Sequence, residues 1–333
     1  MEIENCTCYT TNECLQKGGS AAGNCAAGFG ICCVFFVSSG GTTAQNCTYI
    51  RNDNFPSGLI GNDDQSFTIN KCSCDVCYLR LDFLTFSILG MADSEEIMGG
   101  MCVDSLKVTS SSNEPIPEIC GQNSGQHIYV DMDRGCSGNT QLDFSFSGTA
   151  SIRIFEIKAS QIECGSRSAP PDGCLQYHTE LDGRFQTFNY AAKDESHLDD
   201  QNYSICIRQM LGYCCIQYSV CPDDDAFGFT LGRGEENMSF VDNLCGTRDF
   251  VGIEGSAASC HQGPPTTIHT KYCGDKLNVF TPATYHAPIC DCSAPFEVRI
   301  FTNEISDVNN GLETKNTKVS KGLCFEYIQM PCQ

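Results

Sequence analysis

No run of 18 apolar residues occurs in this 333-residue chain, so no segment reads as a membrane-spanning helix. Basic side chains are scarce. The 20 Lys plus Arg stand against 41 Asp plus Glu, a formal charge of −21 that repels anionic membrane and excludes DNA and RNA as partners. Blocks of five or six like charges are missing, and only 18% of residues are charged, so the acidity is not that of a disordered tail. Histidine is sparse: His127, His178, His197, His261, His269 and His286 are all there are, and none sits in an HExxH pattern. GDSGG and GxSxG nucleophile settings are absent as well. With no recognisable catalytic set, the chain is expected not to be an enzyme. The opening MEIENCTC has neither a basic n-region nor an apolar h-region, so the numbering is expected to start at a mature or arbitrary end, after any signal peptide.

What the chain has in abundance is cysteine: 26 residues, about 8% and an even number. Reducing compartments keep such thiols open, so this usage predicts a secreted, extracellular protein with a disulfide framework. A cytosolic metal-rich chain is the competing reading. At about 150 residues per domain the length predicts two domains or slightly more, and 41% apolar residues suffice to bury real cores.

The cysteines divide the chain. Cys6, Cys8, Cys14, Cys25, Cys32 and Cys33 crowd into a Gly-rich start, expected as a stapled mini-module over 1–37 because so short a segment cannot bury a core of its own. Residues 38–46, beginning SSGGTTAQ, read as a linker. A second group runs from Cys47 to Cys164, a Pro/Gly hinge follows at 165–173, and a third group fills 174–333. Each group is even, so each module can close its own bridges.

Period-2 alternation dominates, which predicts strands and little helix. In VCYLRLDFLTF, Cys77, Leu79, Leu81 and Phe83 point one way while Tyr78, Arg80 and Asp82 point the other. SIRIFEIKA (151–159) and PFEVRIFTN (295–303) alternate again, with Phe296, Val298 and Ile300 on one face. The fold class expected is all-β, two β-sandwiches with a stapled N-terminal segment. Residues 109–117 and 308–321 read as exposed loops.

The two large modules follow one plan. The first reads Cys72, the strand YLRLDF, CVDSLKV with Cys102 and Asp104, ICGQ with Cys120, then HIYVDMD. The second reads Cys206, GYCCIQYSV, CGTRDFVGI with Cys245 and Asp249, YCGD with Cys273, then PFEVRIFTN. In this order the chain resembles the CUB domain, a β-sandwich of extracellular proteins. The elements ECLQKGGSAAGNCAAGFGICCVF, CDVCYLRLDFLTF, ICGQNSGQHIYVD, GCLQYHTE, CIRQMLGYCCIQY and GLCFEYIQMPC resemble secreted arthropod CUB-containing proteins of largely unassigned function. The start also resembles, more distantly, the clip domains of arthropod proteases.

The CUB resemblance implies bridges Cys47 to Cys72, Cys102 to Cys120, Cys174 to Cys206 and Cys245 to Cys273, with Cys260 a rival for Cys245. It also implies calcium as a possible cofactor, held by hard carboxylate oxygens. In the first module Asp104 and Asp133 match the two Asp positions, but the expected Glu falls near Leu89, and only Asp93, Glu95 or Glu96 could stand in for it. In the second module Asp249 matches, Asn303 replaces the other Asp, and Asp223, Asp224 and Asp225 lie nearby. Two carboxylates without a third make weak calcium candidates.

The C-x-x-C of Cys74 and Cys77 sits at a strand entry, where it reads as structural disulfides. Adjacent Cys214 and Cys215 face opposite ways on a strand and require two partners. Four sequons mark candidate N-glycosylation at Asn5, Asn46, Asn202 and Asn237, with Asn5 and Asn46 disfavoured by their neighbouring cysteines. The function expected is non-enzymatic: an extracellular protein-binding or structural scaffold protein, with extracellular proteins or copies of itself as partners. Rigid stapled blocks lose little freedom on ordering, and head-to-tail contacts would give filaments. The alternative is a regulator or cofactor of an extracellular protease cascade.

Overall fold

The computed structural model describes residues 7–91, 100–147, 152–191, 196–222, 228–231, 238–246, 249–260, 267–303 and 320–332. The fold is all-β, with one short α-helix, two single 3-10 turns and 22 strands among these residues. Two compact units divide it: Met1–Leu89, Asp104–Ile116 and Asn123–Ala169 make the first, and Gly90–Val103, Pro117–Gln122 and Pro170–Gln333 make the second. The change between Ala169 and Pro170 falls inside the Pro/Gly stretch, while two earlier segments of the sequence belong with the second unit.

The first unit opens with β1 (Thr7–Tyr9), α1 (Thr11–Gln16), β2 (Ser20–Cys25), β3 (Gly30–Val37) and β4 (Thr42–Thr43). It continues with β5 (Thr48–Arg51), β6 (Gln65–Asn70), β7 (Val76–Ser87), β8 (Ser105–Ser110), β9 (His127–Asp131), β10 (Asn139–Ser145) and β11 (Ile154–Glu163). One sheet runs β1-β3-β5-β11-β7-β9 with β2 on β3, and the other runs β4-β6-β10-β8. Phe155 of the first sheet stacks on Phe144 of the second at 4.0 Å between ring centroids, and Phe67 and Phe86 pack around them. This aromatic layer is the core of the sandwich.

Two local features depart from the sequence reading. Thr10 and Glu13 form a reciprocal capping box that starts α1, a T-x-x-E signal present in the sequence but not used in it. The expected linker carries β4, whose Thr42 and Thr43 pair in parallel with β6, and β3 pairs in parallel with β5, so the stapled start is continuous with both sheets. Cys8–Cys25 and Cys14–Cys33 staple it over a small cluster of Cys14, Cys33 and Phe35.

Burial alternates along β7 from Leu79 to Phe83, after an entry at Val76–Tyr78 that is buried on both faces. A bulge then leaves Leu84 unpaired and exposed, and this extra residue returns Phe86 to the core face. Residues 109 and 110 belong to β8 and not to a loop. Of the expected loop 308–321, the part to residue 319 lies outside the described residues, and Ser320 is buried.

The second unit consists of β12 (Cys174–His178), β13 (Asp182–Gln186), β14 (Asn202–Ile207), β15 (Tyr213–Val220), β16 (Phe229–Thr230) and β17 (Ser239–Val241). β18 (Phe250–Ala257), β19 (His269–Gly274), β20 (Ile289–Asp291), β21 (Phe296–Phe301) and β22 (Gly322–Pro331) complete it. Its sheet order is β12-β14-β21-β18-β20-β15-β22-β13, with β16 on β22 and β19 joining β17 to β18. Phe296, Val298 and Ile300 of β21 face the core, as their spacing requires.

Disulfides fasten both units. In the first, Cys74 joins Cys136 and Cys77 joins Cys164, so the C-x-x-C pair is structural and has two separate partners. In the second, Cys214 joins Cys332 and Cys215 joins Cys292, the divergent pairing that adjacent strand residues need. Cys102 joins Cys120, Cys174 joins Cys206, Cys245 joins Cys273, Cys260 joins Cys290 and Cys221 joins Cys324. The expected Cys47–Cys72 bridge is not made: both thiols are free. Cys47 takes a left-handed backbone (φ 57°), and Gln161 holds the two segments together instead. Its side chain accepts from the Cys72 N–H at 2.7 Å, while its backbone N–H donates to Asn46 Oδ1 at 2.7 Å.

Candidate functional site

The carboxylates proposed for calcium lie in very different surroundings. Asp104, just before β8, is fully buried and accepts the following hydrogen bonds from described residues. Arg153 donates Nε at 2.7 Å and Nη2 at 2.9 Å, and the Leu89 and Ser147 backbone N–H groups donate at 3.0 and 3.1 Å. A carboxylate has about four acceptor sites, and here all are taken. Arg153 is itself fully buried; it gives Nη1 to the Gly61 carbonyl at 2.7 Å and lies over the Phe146 ring. A guanidinium therefore occupies the place a cation would need.

Asp133 is not brought to Asp104. Leu89, bonded to Asp104, lies beyond one end of β7, whereas β9 pairs Asp131 with Tyr78 at the other end. Most of the length of β7 therefore separates the two sites. Asp133 is exposed and caps its own turn through the Arg134 N–H. Asp93, Glu95, Glu96 and Asp223 to Asp225 lie outside the described residues.

The second unit repeats the solution with a different cation. Asp249 is buried; its Oδ1 accepts from the Asn303 N–H at 2.9 Å, and its Oδ2 lies 3.1 Å from His197 Nε2. The sequence reading thus brings Asp249 and Asn303 together but misses His197, which precedes Asp249 by a long stretch of chain. Burial alone would push the imidazole down. The Asp249 charge and hydrogen bond and the Leu198 carbonyl, 3.1 Å from Nδ1, outweigh it and raise the pKa to about 9. His197 is therefore a cation at neutral pH, with both ring nitrogens donating. Among the described residues the chain supplies its own positive charge to each of these aspartates.

Three other groupings have chemistry worth weighing. Asp242 and His269 form a pair at 2.7 Å, and two backbone N–H groups help hold the Asp242 carboxyl below its usual range despite partial burial. Ser256 nearby is no nucleophile for this pair: it is buried, and its hydroxyl meets the His269 backbone carbonyl and the Tyr272 hydroxyl instead of the imidazole. Cys215, Cys290 and Cys292 bring three sulfurs within 4.8 Å, but all three are in disulfides and offer no thiolate to a metal. A cleft of about 250 Å³ in the first unit is lined by Asn46, Cys72, Gln161 and Glu163. Burial pushes the Cys72 thiol up, and the Glu163 charge adds to this, so it stays protonated and weakly nucleophilic at neutral pH.

The sequons separate by geometry. Asn46 turns inward, giving Nδ2 to the Gln161 carbonyl at 3.2 Å. Asn202 is exposed at the start of β14. Asn5 and Asn237 lie outside the described residues.

The family model "Animal CUB domain" matches residues 171–330, which contain the His197–Asp249 pair and five disulfides of the second unit. No curated protein matches the chain. Among solved structures, the CUB1-EGF-CUB2 domains of rat MASP-1 align at 11% identity and a TM-score of 0.27, covering 89% of this chain and 99% of that one. The CUB1-EGF-CUB2 domain of human MASP-1/3 aligns at 11% identity and 0.27, covering 86% and 100%. The full extracellular region of zebrafish Gpr126/Adgrg6 gives 11% and 0.27, covering 89% of this chain and 35% of that one.

Proposed function

We propose that this protein is a non-enzymatic extracellular protein whose work is to bind other proteins, including copies of itself in a scaffold or filament. The observation that carries this reading is the animal CUB domain match over residues 171–330, in a unit closed by its own disulfides. The chemistry agrees with it. The polar pairs that might have served catalysis are spent on the fold: Asp104 on Arg153, Asp249 on His197, and Ser256 on a backbone carbonyl. Secretion fits the eleven disulfides found among the described residues. The likeness to secreted arthropod CUB-containing proteins belongs to the same reading. Rigid units present fixed surfaces, so association orders few side chains and costs little entropy.

The test is cross-linking mass spectrometry on the full secreted chain in its native fluid, with light scattering on the purified protein. Specific cross-links from the second unit to another protein, or particles that grow with concentration, are expected. A strictly monomeric chain that forms no cross-links with any extracellular protein would overturn the reading.

A further inference from the structure

The outer face of the second unit's sheet carries an aromatic and basic platform beside an exposed sequon asparagine. Residues directly opposite one another in a ladder share a face. Asn202 of β14 lies opposite Phe301 of β21, and Phe301 lies opposite Phe250 of β18. The next row on the same face is Ser204, Arg299, Gly252 and Lys271. The alternate residues Tyr203, Ile300 and Val251 point into the core, so this face looks outward. Phe250 and Phe301 stack at 5.0 Å between centroids with 21° between planes, and both are half-buried. Lys271 Nζ sits 4.4 Å from the Phe250 centroid, and Gly252 adds no side chain to the floor. The partly exposed ring pair offers a flat apolar surface beside Asn202 on an otherwise polar row.

We propose that the occupant is an N-glycan attached to Asn202, whose first sugars lie over the Phe301–Phe250 stack. The proposal rests on the extracellular reading above. Asn202 is pre-set for it: Arg299 donates Nε and Nη2 to Oδ1 at 3.2 and 3.0 Å, which fixes the carboxamide through its oxygen. Nδ2, the atom that takes the sugar, makes no hydrogen bond among the described residues, in contrast with Nδ2 of Asn46. Ser204 supplies the sequon hydroxyl on the same face. In the transfer, Nδ2 bonds to C1 of N-acetylglucosamine as the C1–O bond to a lipid-pyrophosphate donor breaks. The lipid pyrophosphate leaves, and the amide proton passes to a base of the transferase. The linked amide keeps its oxygen, so the Arg299 contact survives. The C–H face of the sugar suits the rings, and its hydroxyl rim suits Arg299 and Lys271.

The test uses the full chain secreted from a eukaryotic host. Glycopeptide mass spectrometry should find Asn202 occupied. Native enzymatic release of that glycan should be about fivefold slower than from the Phe250→Leu and Phe301→Leu variants, which keep apolar volume but lose the ring. Comparison of native with denatured wild-type chain gives the same readout should a variant not be secreted. An unmodified Asn202 in a chain glycosylated at Asn237 overturns the inference and leaves the extracellular reading standing. A release rate indifferent to the rings, or to denaturation, overturns it also. No glycan at any sequon, with the chain retained in the cytosol, overturns both.

Discussion

Arg153 and Asp104, 49 residues apart in sequence, meet as a two-pronged ion pair with neither side chain reaching solvent. Removing one partner from such a pair strands a buried charge, typically at a cost of about 3–5 kcal/mol. Arg153→Met should destabilise the first unit by that order in a denaturant melt. Asp104→Asn with Arg153→Met should cost less than the two single losses added together. Additive losses would mean that the pair is not coupled.

Because both aspartates are already neutralised from within, calcium should add little stability. Thermal melts in excess chelator and in millimolar calcium are expected to coincide, since a ligand without a site does not shift the unfolding equilibrium. A melting temperature that climbs with calcium concentration would show that the Arg153 and His197 contacts yield to the ion.

The second unit should lose stability as the solution turns alkaline. His197 has a folded pKa of about 9 against an ordinary value of 6.5, so the folded state holds its proton more tightly. The stabilisation is complete below pH 6.5 and is lost as pH rises through 9, on the order of 3 kcal/mol in all. Burial raises Asp291 to about 6, against the opposing Ser293 hydrogen bonds. That group also favours the protonated folded state, and its contribution fades as pH rises from 3.8 through 6. Urea melts of wild type and His197→Gln between pH 6 and 10 should converge at the alkaline end. Parallel curves would show that His197 does not carry the effect.

Alkylation without reductant should label Cys72, which is exposed, ahead of the less exposed Cys47. Cys72 should nonetheless react slowly at neutral pH, because its raised pKa keeps the thiol protonated. Peptide mapping that finds neither residue alkylated, but the two joined to each other, would show that a disulfide links the segments and not Gln161 alone.

Much of this molecule can be read from residue order. The strict alternation of Phe155, Ile157 and Ala159 against Glu156 and Lys158 requires a strand with one face buried, and β11 has that pattern. Twenty-six cysteines, an even number, argue for a disulfide-stapled chain before any coordinate is known. Adjacent Cys214 and Cys215 must diverge because a strand sends neighbours to opposite faces. These properties are local, or are sums over composition, and the sequence alone determines them.

Tertiary structure alone decided which groups meet. Nothing near Asp104 or Asp249 in the sequence names Arg153 or His197 as its counter-charge, because the pairing depends on where distant segments pack. Asp104 and Asp133 look like one ligand set on paper, yet the antiparallel register of β7 and β9 sends them to opposite ends of a strand. The bulge at Leu84 returns Phe86 to the core, and a strictly periodic reading would have turned it outward. Asn202, Phe301 and Phe250 form one row only because three strands pair in a particular register, and slipping any one of them by a residue would turn its side chain to the opposite face.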